Sequence, residues 1–75
     1  MSQVETGVYR HFKGQEYVVL GVARHSETDE EFVVYRPDYG DKQLFIRPLP
    51  MFLESVIHEG QTVPRFKYLG PEIPY

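Results

Sequence analysis

The sequence predicts a small, mainly β domain: an SH3-like five-stranded barrel with one short helical turn between strands 4 and 5. Two observations support this fold class. Short runs rich in Val, Tyr and Phe recur along the chain, and polar segments with Gly or Pro separate them. The 75 residues suffice for one domain, and six Tyr with five Phe supply large buried areas for its core.

The first two strands are expected to form a hairpin. Residues 7–12 alternate loosely between polar and apolar and lead into a glycine-containing turn at 13–15. The second strand, residues 16–26, is long, and Gly21 in its middle predicts a bulge or sharp bend. Such a bend would let the strand face the core differently before and after Gly21.

Three further strands follow, at residues 32–36, 43–47 and 65–69. Before the last of them, Pro48 can begin a helical turn, because its missing N–H is no loss there. Met51, Phe52 and Val56 then fall at helical spacing, and Gly60 can end the segment.

Alternation assigns residues to the two faces of the sheet, with Tyr9 near Val19, Arg24 near Tyr35, His25 near Val34, Tyr35 near Phe45 and Val33 near Arg47. The face expected to form the core carries Tyr9, Val19, Ala23, Val34, Leu44 and Ile46. The opposite face carries Val18, Leu20, Val22, Arg24, Tyr35, Phe45 and Arg47. A register slip of one residue would exchange the two faces.

Composition limits the classes of function. The barrel domain is expected over residues 7–69, with a flexible arm at 1–6 and a tail at 70–75. A net charge of −3, with Lys and Arg spread along the chain, disfavours nucleic acid as a partner. Cysteine is absent, which excludes disulfides and thiolate metal sites. No apolar stretch suits a membrane, the N-terminus does not look like a signal peptide, and a cytoplasmic location is expected.

One candidate for chemistry is the pair His25 and Glu27, at a strand end that enters a turn. An imidazole beside a carboxylate can share a proton or ligate zinc, and His11 could join the pair. In the simpler interpretation, Glu27 orients His25 by a hydrogen bond and Ser26 or Thr28 stabilises the turn, because two ligands do not make a metal site. The sequence therefore predicts no metal and no cofactor, and an enzyme centred on His11, His25 and Glu27 is only an alternative.

A second candidate is a binding surface formed by Arg24, Tyr35, Tyr39, Phe45 and Arg47. Tyr and Arg often carry interface energy, through ring contacts and multiple hydrogen bonds. The competing interpretation buries Tyr35 and Phe45 in the core, with the arginines extending over them.

Four strings in the chain, GVYRHFKG, ARHSET, VVYRPDYG and RPLPMFLESV, resemble a widespread bacterial family of short domains of unknown function. The resemblance covers most of residues 7–66 and implies a small cytoplasmic bacterial domain without an established activity. Its motif positions here are Tyr9, His11, Lys13, Gly14, His25, Glu27, Thr28, Tyr35, Tyr39, Gly40, Arg47, Pro48, Met51 and Phe52.

The function most consistent with these observations is a non-catalytic binding module for a protein, a peptide or a small polar ligand. The small size and the missing catalytic constellation favour it. The alternatives are a small hydrolase or metal-dependent enzyme at His11, His25 and Glu27, and binding of RNA or single-stranded DNA by the arginine surface.

Overall fold

The computed structural model describes residues 4–40 and 43–72, in which seven strands form two antiparallel sheets. The elements are β1 (Gly7–His11), β2 (Glu16–Arg24), β3 (Glu31–Pro37), β4 (Phe45–Pro48), α1 (Leu49–Phe52), β5 (Ser55–His58), β6 (Gln61–Pro64) and β7 (Phe66–Gly70). The larger sheet has the order β4-β3-β2-β1-β7, and β5 pairs with β6. The mainly β prediction is confirmed. Because β4 and β7 remain sheet edges among the described residues, the closed five-stranded barrel is not confirmed.

The predicted short helical turn is confirmed. It is a single turn, Leu49–Phe52, after an extended Pro48 (φ −52°, ψ 136°). The predicted continuation towards Gly60 is wrong, because Val56 lies in β5 and pairs with β6. The β-branched pair at 56 and 57 favours a strand, and Gly60, at φ 78°, helps to close a hairpin rather than end a helix.

The predicted irregularity at Gly21 is confirmed. The register of β2 against β3 shifts between Val19 and Gly21, so that Val19 pairs with Tyr35 and Val22 with Val33. Residues three positions apart in a regular strand point to opposite faces. The bulge instead allows both Val19 and Val22 to pack in the same core.

The hairpin registers are partly as predicted. Tyr35 lies opposite Phe45, and Val33 opposite Arg47, as expected. In the first hairpin, however, Tyr9 lies opposite Tyr17 rather than Val19, a shift of two that preserves the faces. In the second hairpin, Arg24 lies opposite Glu31 rather than Tyr35, and His25 lies beyond the paired residues, because a hydrogen bond from His25 N–H to the Glu30 carbonyl (2.8 Å) closes a tight turn.

The core lies on the face that carries Tyr35, so the predicted face assignment is wrong for β3 and β4. Its buried members are Val4, Tyr9, Val19, Val33, Tyr35, Phe52 and Phe66. Leu44 and Ile46, expected in the core, are 58% and 63% exposed; Val34 is only partly buried, and Ala23 is exposed. Burial of Tyr9 and Val19 is confirmed. Helix α1 covers this face by stacking Phe52 on Phe66, with ring centroids 4.3 Å apart.

The segments that flank the sheet also pack against it. Val4, within the predicted arm, belongs to the core, and the Tyr9 hydroxyl donates a hydrogen bond to the Glu5 carbonyl at 2.8 Å. After β7, Glu72 pairs with Arg36 at 2.9 Å. Residues 1–3 of the predicted arm, 41–42 of the loop before β4 and 73–75 of the predicted tail lie outside the described residues. None of the described helices has the length and hydrophobicity needed to cross a membrane.

Candidate functional site

His25 and Glu27 lie in the turn between β2 and β3, where they serve the backbone. His25 Nδ1 accepts hydrogen bonds from the backbone N–H groups of Glu27 (3.1 Å) and Thr28 (3.4 Å). Asp29 N–H donates to the His25 carbonyl at 3.0 Å, and Asp29 adopts a left-handed φ of 64°. Side-chain acceptors of this kind stabilise tight turns. The contact with His25 thus comes from the backbone of Glu27, and its carboxylate makes no hydrogen bond to the imidazole.

His11 lies at the other end of the sheet. β2 runs from Glu16, beside His11, to Arg24, beside His25. Nine residues at about 3.3 Å each make this strand roughly 30 Å long. The structure therefore does not bring His11, His25 and Glu27 together. Within residues 4–40 and 43–72, no group of three or more His, Asp or Glu residues is placed to hold a metal ion.

The five predicted binding residues are also divided between the two ends. Tyr35, Tyr39 and Phe45 lie towards the His11 end. Arg47 lies opposite Val33, nearer the middle of the sheet, and its side chain reaches the Tyr35 hydroxyl. Arg24 instead pairs with Glu31, four residues along β3 from Tyr35, which is roughly 13 Å at the usual rise per strand residue. The candidate site therefore excludes Arg24.

The residues at the His11 end form a connected group of rings around one guanidinium. We call this group the tyrosine–arginine cluster and define it as Tyr17, Tyr35, Tyr39, Phe45, Arg47 and Phe66. The Tyr17 ring lies 5.5 Å from the Tyr35 ring and 6.3 Å from the Tyr39 ring, measured between centroids. Tyr35 also contacts Phe45 at 5.9 Å. Edge and tilted contacts at these distances are favourable for aromatic side chains.

Arg47 is the charged member of the cluster. Its Nε donates a hydrogen bond to the Tyr35 hydroxyl at 3.3 Å, and its guanidinium carbon lies 5.6 Å from the centre of the Phe66 ring. Arg47 is half-buried, and it forms no ion pair with any described residue. A guanidinium held this way is positioned by uncharged neighbours, and no carboxylate of residues 4–40 or 43–72 compensates its charge.

The cluster has a buried floor and an accessible rim. Tyr35 is 5% exposed and belongs to the core, whereas Tyr39 is 50% and Phe45 43% exposed. Tyr35 thus lies in the core, whereas Tyr39 and Phe45 present ring surface to solvent beside Arg47.

Two titratable groups in and beside the cluster remain uncharged at neutral pH. Burial, together with a hydrogen bond to Tyr39, raises the pKa of Tyr17 to about 12, so its phenol keeps its proton. Burial and the charges of Arg47, Arg65 and Lys13 lower the pKa of His11 from 6.5. Its neutral Nδ1 accepts a hydrogen bond from the Lys13 N–H at 3.2 Å.

Residues 7–68 match the family described as "Protein of unknown function (DUF1653)". The chain belongs to the DUF1653 family. A crystal structure of a DUF1653 protein from Bordetella bronchiseptica is similar to it, with 40% sequence identity, a TM-score of 0.84, and 97% of this chain and 96% of that chain covered. No curated protein matches the chain. The predicted resemblance to a family of unknown function is confirmed.

In this DUF1653 chain, the motif positions implied by the resemblance divide between the two ends of the sheet. Tyr35, Tyr39 and Arg47 lie in the cluster, with His11 beside it, whereas His25 and its neighbours form the turn. Sequence analysis missed Tyr17 and Phe66 as cluster members. Tyr17 could have been found from its even spacing from Val19, but Phe66 reaches the cluster only through the pairing of β7 with β1.

Proposed function

We propose that this chain is a non-catalytic binding module whose tyrosine–arginine cluster binds a carboxylate on a peptide or on a small polar ligand. Arg47 carries the proposal. Of the three nitrogens in its side chain, only Nε makes a hydrogen bond within the described part of the chain. The two terminal nitrogens are therefore available to a ligand. A guanidinium matches a carboxylate with two parallel hydrogen bonds, and this geometry is both strong and specific.

The rings around Arg47 support the same chemistry. Phe45 and Tyr39 expose apolar ring surface, and ring–ligand contacts of this kind bury large areas at low entropic cost. The Tyr17 ring lies 6.3 Å from the Tyr39 ring, measured between centroids, and supports that rim residue from one side. A carboxylate next to an aromatic or aliphatic side chain would satisfy both parts of the surface.

Catalysis has no comparable support. The enzyme alternative needs His11, His25 and Glu27 in one place. The length of β2, at the usual rise per residue, instead separates His11 from His25 and Glu27 by roughly 30 Å. Proton transfer and metal ligation need separations of about 2–3 Å. Binding of RNA or single-stranded DNA remains an outcome of the experiment below, because the exposed rings could also stack on bases.

The test compares the tripeptide Ala-Ala-Tyr with a free carboxylate and the same peptide with a C-terminal amide, titrated into ¹⁵N-labelled protein. We expect the acid to shift the signals of the Arg47 side chain and of Tyr39, and the amide to shift them much less. Arg47→Lys should weaken binding of the acid about tenfold, because an ammonium cannot make the paired hydrogen bonds.

Arg24→Lys is the matched control, since Arg24 is an exposed arginine at the far end of the sheet. It should bind the acid as the parent does. Equal binding of acid and amide, no binding of either, or full binding by Arg47→Lys would refute the proposal. Salt-sensitive binding of oligouridylate that depends on Arg47, and that exceeds binding of the acid, would favour the nucleic-acid alternative.

A further inference from the structure

We infer a second binding site, in the groove between β1 and β7 on one side and the β5–β6 hairpin on the other. The structure assigns it to a planar aromatic ring that carries an anionic group, a chemistry shared by nucleoside monophosphates and aromatic carboxylates. The groove is open to solvent and has a volume of about 380 Å³. That volume suits one ring system, at the lower end of the usual range for ligand sites.

The walls of the groove are apolar. Phe12 forms one side, flanked by the imidazoles of His11 (4.5 Å) and His58 (5.3 Å, both between ring centroids). Val63 and Pro64 of β6 also line the groove. A flat ring fits such walls, because aromatic and proline side chains give broad surfaces for ring contact.

The rim of the groove is cationic. Arg10 and Lys67 lie directly opposite each other on β1 and β7, and both line the groove. Like charges at directly opposite positions of a sheet destabilise it. Glu16 compensates Arg10 at 2.8 Å, but the Lys67 ammonium forms no ion pair with any described residue. A bound anion would remove this repulsion and compensate Lys67.

The other charges around the groove agree with an anionic ligand. The Lys13 ammonium lies 5.8 Å from the centre of the Phe12 ring and adds positive charge there. Of the carboxylates next to groove residues, Glu16 pairs with Arg10, and Glu59, whose Oε2 lies 3.7 Å from His58 Nε2, is largely exposed to solvent, which screens its charge. A neutral ring would leave Lys67 uncompensated, and a bare anion would leave the apolar walls empty, so the ligand needs both parts.

This site is separate from the tyrosine–arginine cluster. None of the six cluster residues lines the groove, although His11 touches both regions through Phe12 and Tyr17. Failure of one proposal therefore leaves the other standing, and Arg24, which lies in neither site, serves as the control position for both.

The experiment titrates adenosine 5′-monophosphate and, separately, benzoate into the ¹⁵N-labelled full chain. We expect shifts of the Phe12, Val63 and Lys67 amides with one or both. Adenosine and inorganic phosphate, each carrying only half of the required chemistry, should bind at least about tenfold more weakly. Response to the nucleotide alone would identify a nucleotide site, and response to benzoate alone would identify an aromatic acid site.

Lys67→Gln should weaken binding about tenfold, since it removes the uncompensated charge of an exposed side chain. Arg24→Gln should bind as the parent does, and unfolding midpoints check that both variants are folded. The proposal is overturned if adenosine or phosphate binds as tightly as the nucleotide, if neither test ligand binds, if the shifts map to Tyr39 and Arg47 and not to Phe12, Val63 and Lys67, or if Lys67→Gln binds normally.

Discussion

His11 and His25 occupy equivalent local positions at opposite ends of the larger sheet. Each ends a strand or directly follows one, and each accepts through Nδ1 a backbone N–H from two residues further on. The distances are 3.2 Å from Lys13 N to His11 and 3.1 Å from Glu27 N to His25. Locally, the two histidines do the same work: they stabilise the turn that follows them.

Their surroundings differ. The His11 ring contacts Phe12, Tyr17 and Phe66, with centroids 4.5, 6.5 and 5.0 Å away, and three cations lower its pKa. His25 is exposed, and its described ring contact is with Phe32 at 6.5 Å. Both histidines thus stabilise a turn, but only His11 lies beside a candidate site. The reason is that β7, which is distant in sequence, pairs with β1 at the His11 end.

The largest difference between the two ends should appear when a ring is removed from each. Phe66→Ala should lower the free energy of unfolding by about 3–5 kcal/mol, because Phe66 is buried and stacks on Phe52. Phe32→Ala, at the His25 end, should cost less than half of that, since Phe32 is only partly buried. Urea denaturation of both variants measures the two losses. Similar losses would mean that the ends are packed alike.

Substituting the two histidines sharpens the comparison. Asn can replace Nδ1 as an acceptor of the N–H two residues on, so it preserves the turn but removes the ring. We expect His25→Asn to change the free energy of unfolding by no more than about 0.5 kcal/mol and His11→Asn to lower it by about 1–2 kcal/mol. The two variants are each other's control. An equal effect would show that the ring contacts of His11 add nothing to its role in the turn.

Acidification should produce the smallest effect. The folded-state pKa of His11 is lowered from 6.5, so near that pH the unfolded chain binds a proton that the folded chain does not. The contribution of His11 to stability is therefore complete above this range, falls as the pH decreases towards the lowered pKa, and then levels off. Histidine titration by NMR gives the pKa directly. A pH dependence of the unfolding midpoint that His11→Asn leaves unchanged would contradict this assignment.

Local features of the fold could be predicted from the sequence because they depend on neighbouring residues. The bulge at Gly21, the opposition of Tyr35 and Phe45, and the role of Thr28 in the turn all follow from turn residues and alternation. The predicted hydrogen bond from Glu27 to His25 was wrong, because the imidazole accepts from the backbone instead. The β5–β6 hairpin could not be recognised, since the spacing of Phe52 and Val56 imitates a helix, and Gly60 can end a helix or close a hairpin.

The face assignment and the site needed long-range information. Val33 to Tyr35 is an unbroken apolar run, so alternation alone cannot show that Val33 and Tyr35, rather than Val34, point to the core. Arg24 was grouped with Arg47 because the tight turn after β2 was not foreseen. Phe66 was missed because its neighbours in the cluster come from other strands.

The pairing of β1 with β7 joins positions 8 and 70, and it is so close that a Cβ on Gly7 would lie 2.5 Å from the Gly70 carbonyl oxygen. Contacts between such distant positions cost more loop-closure entropy than local contacts do, and they form more slowly. The hairpins that join β1 to β4 consist of local contacts. We therefore expect β7 to dock late in folding. Phe66 belongs to β7, so its ring packs against Arg47 only after β7 has paired with β1.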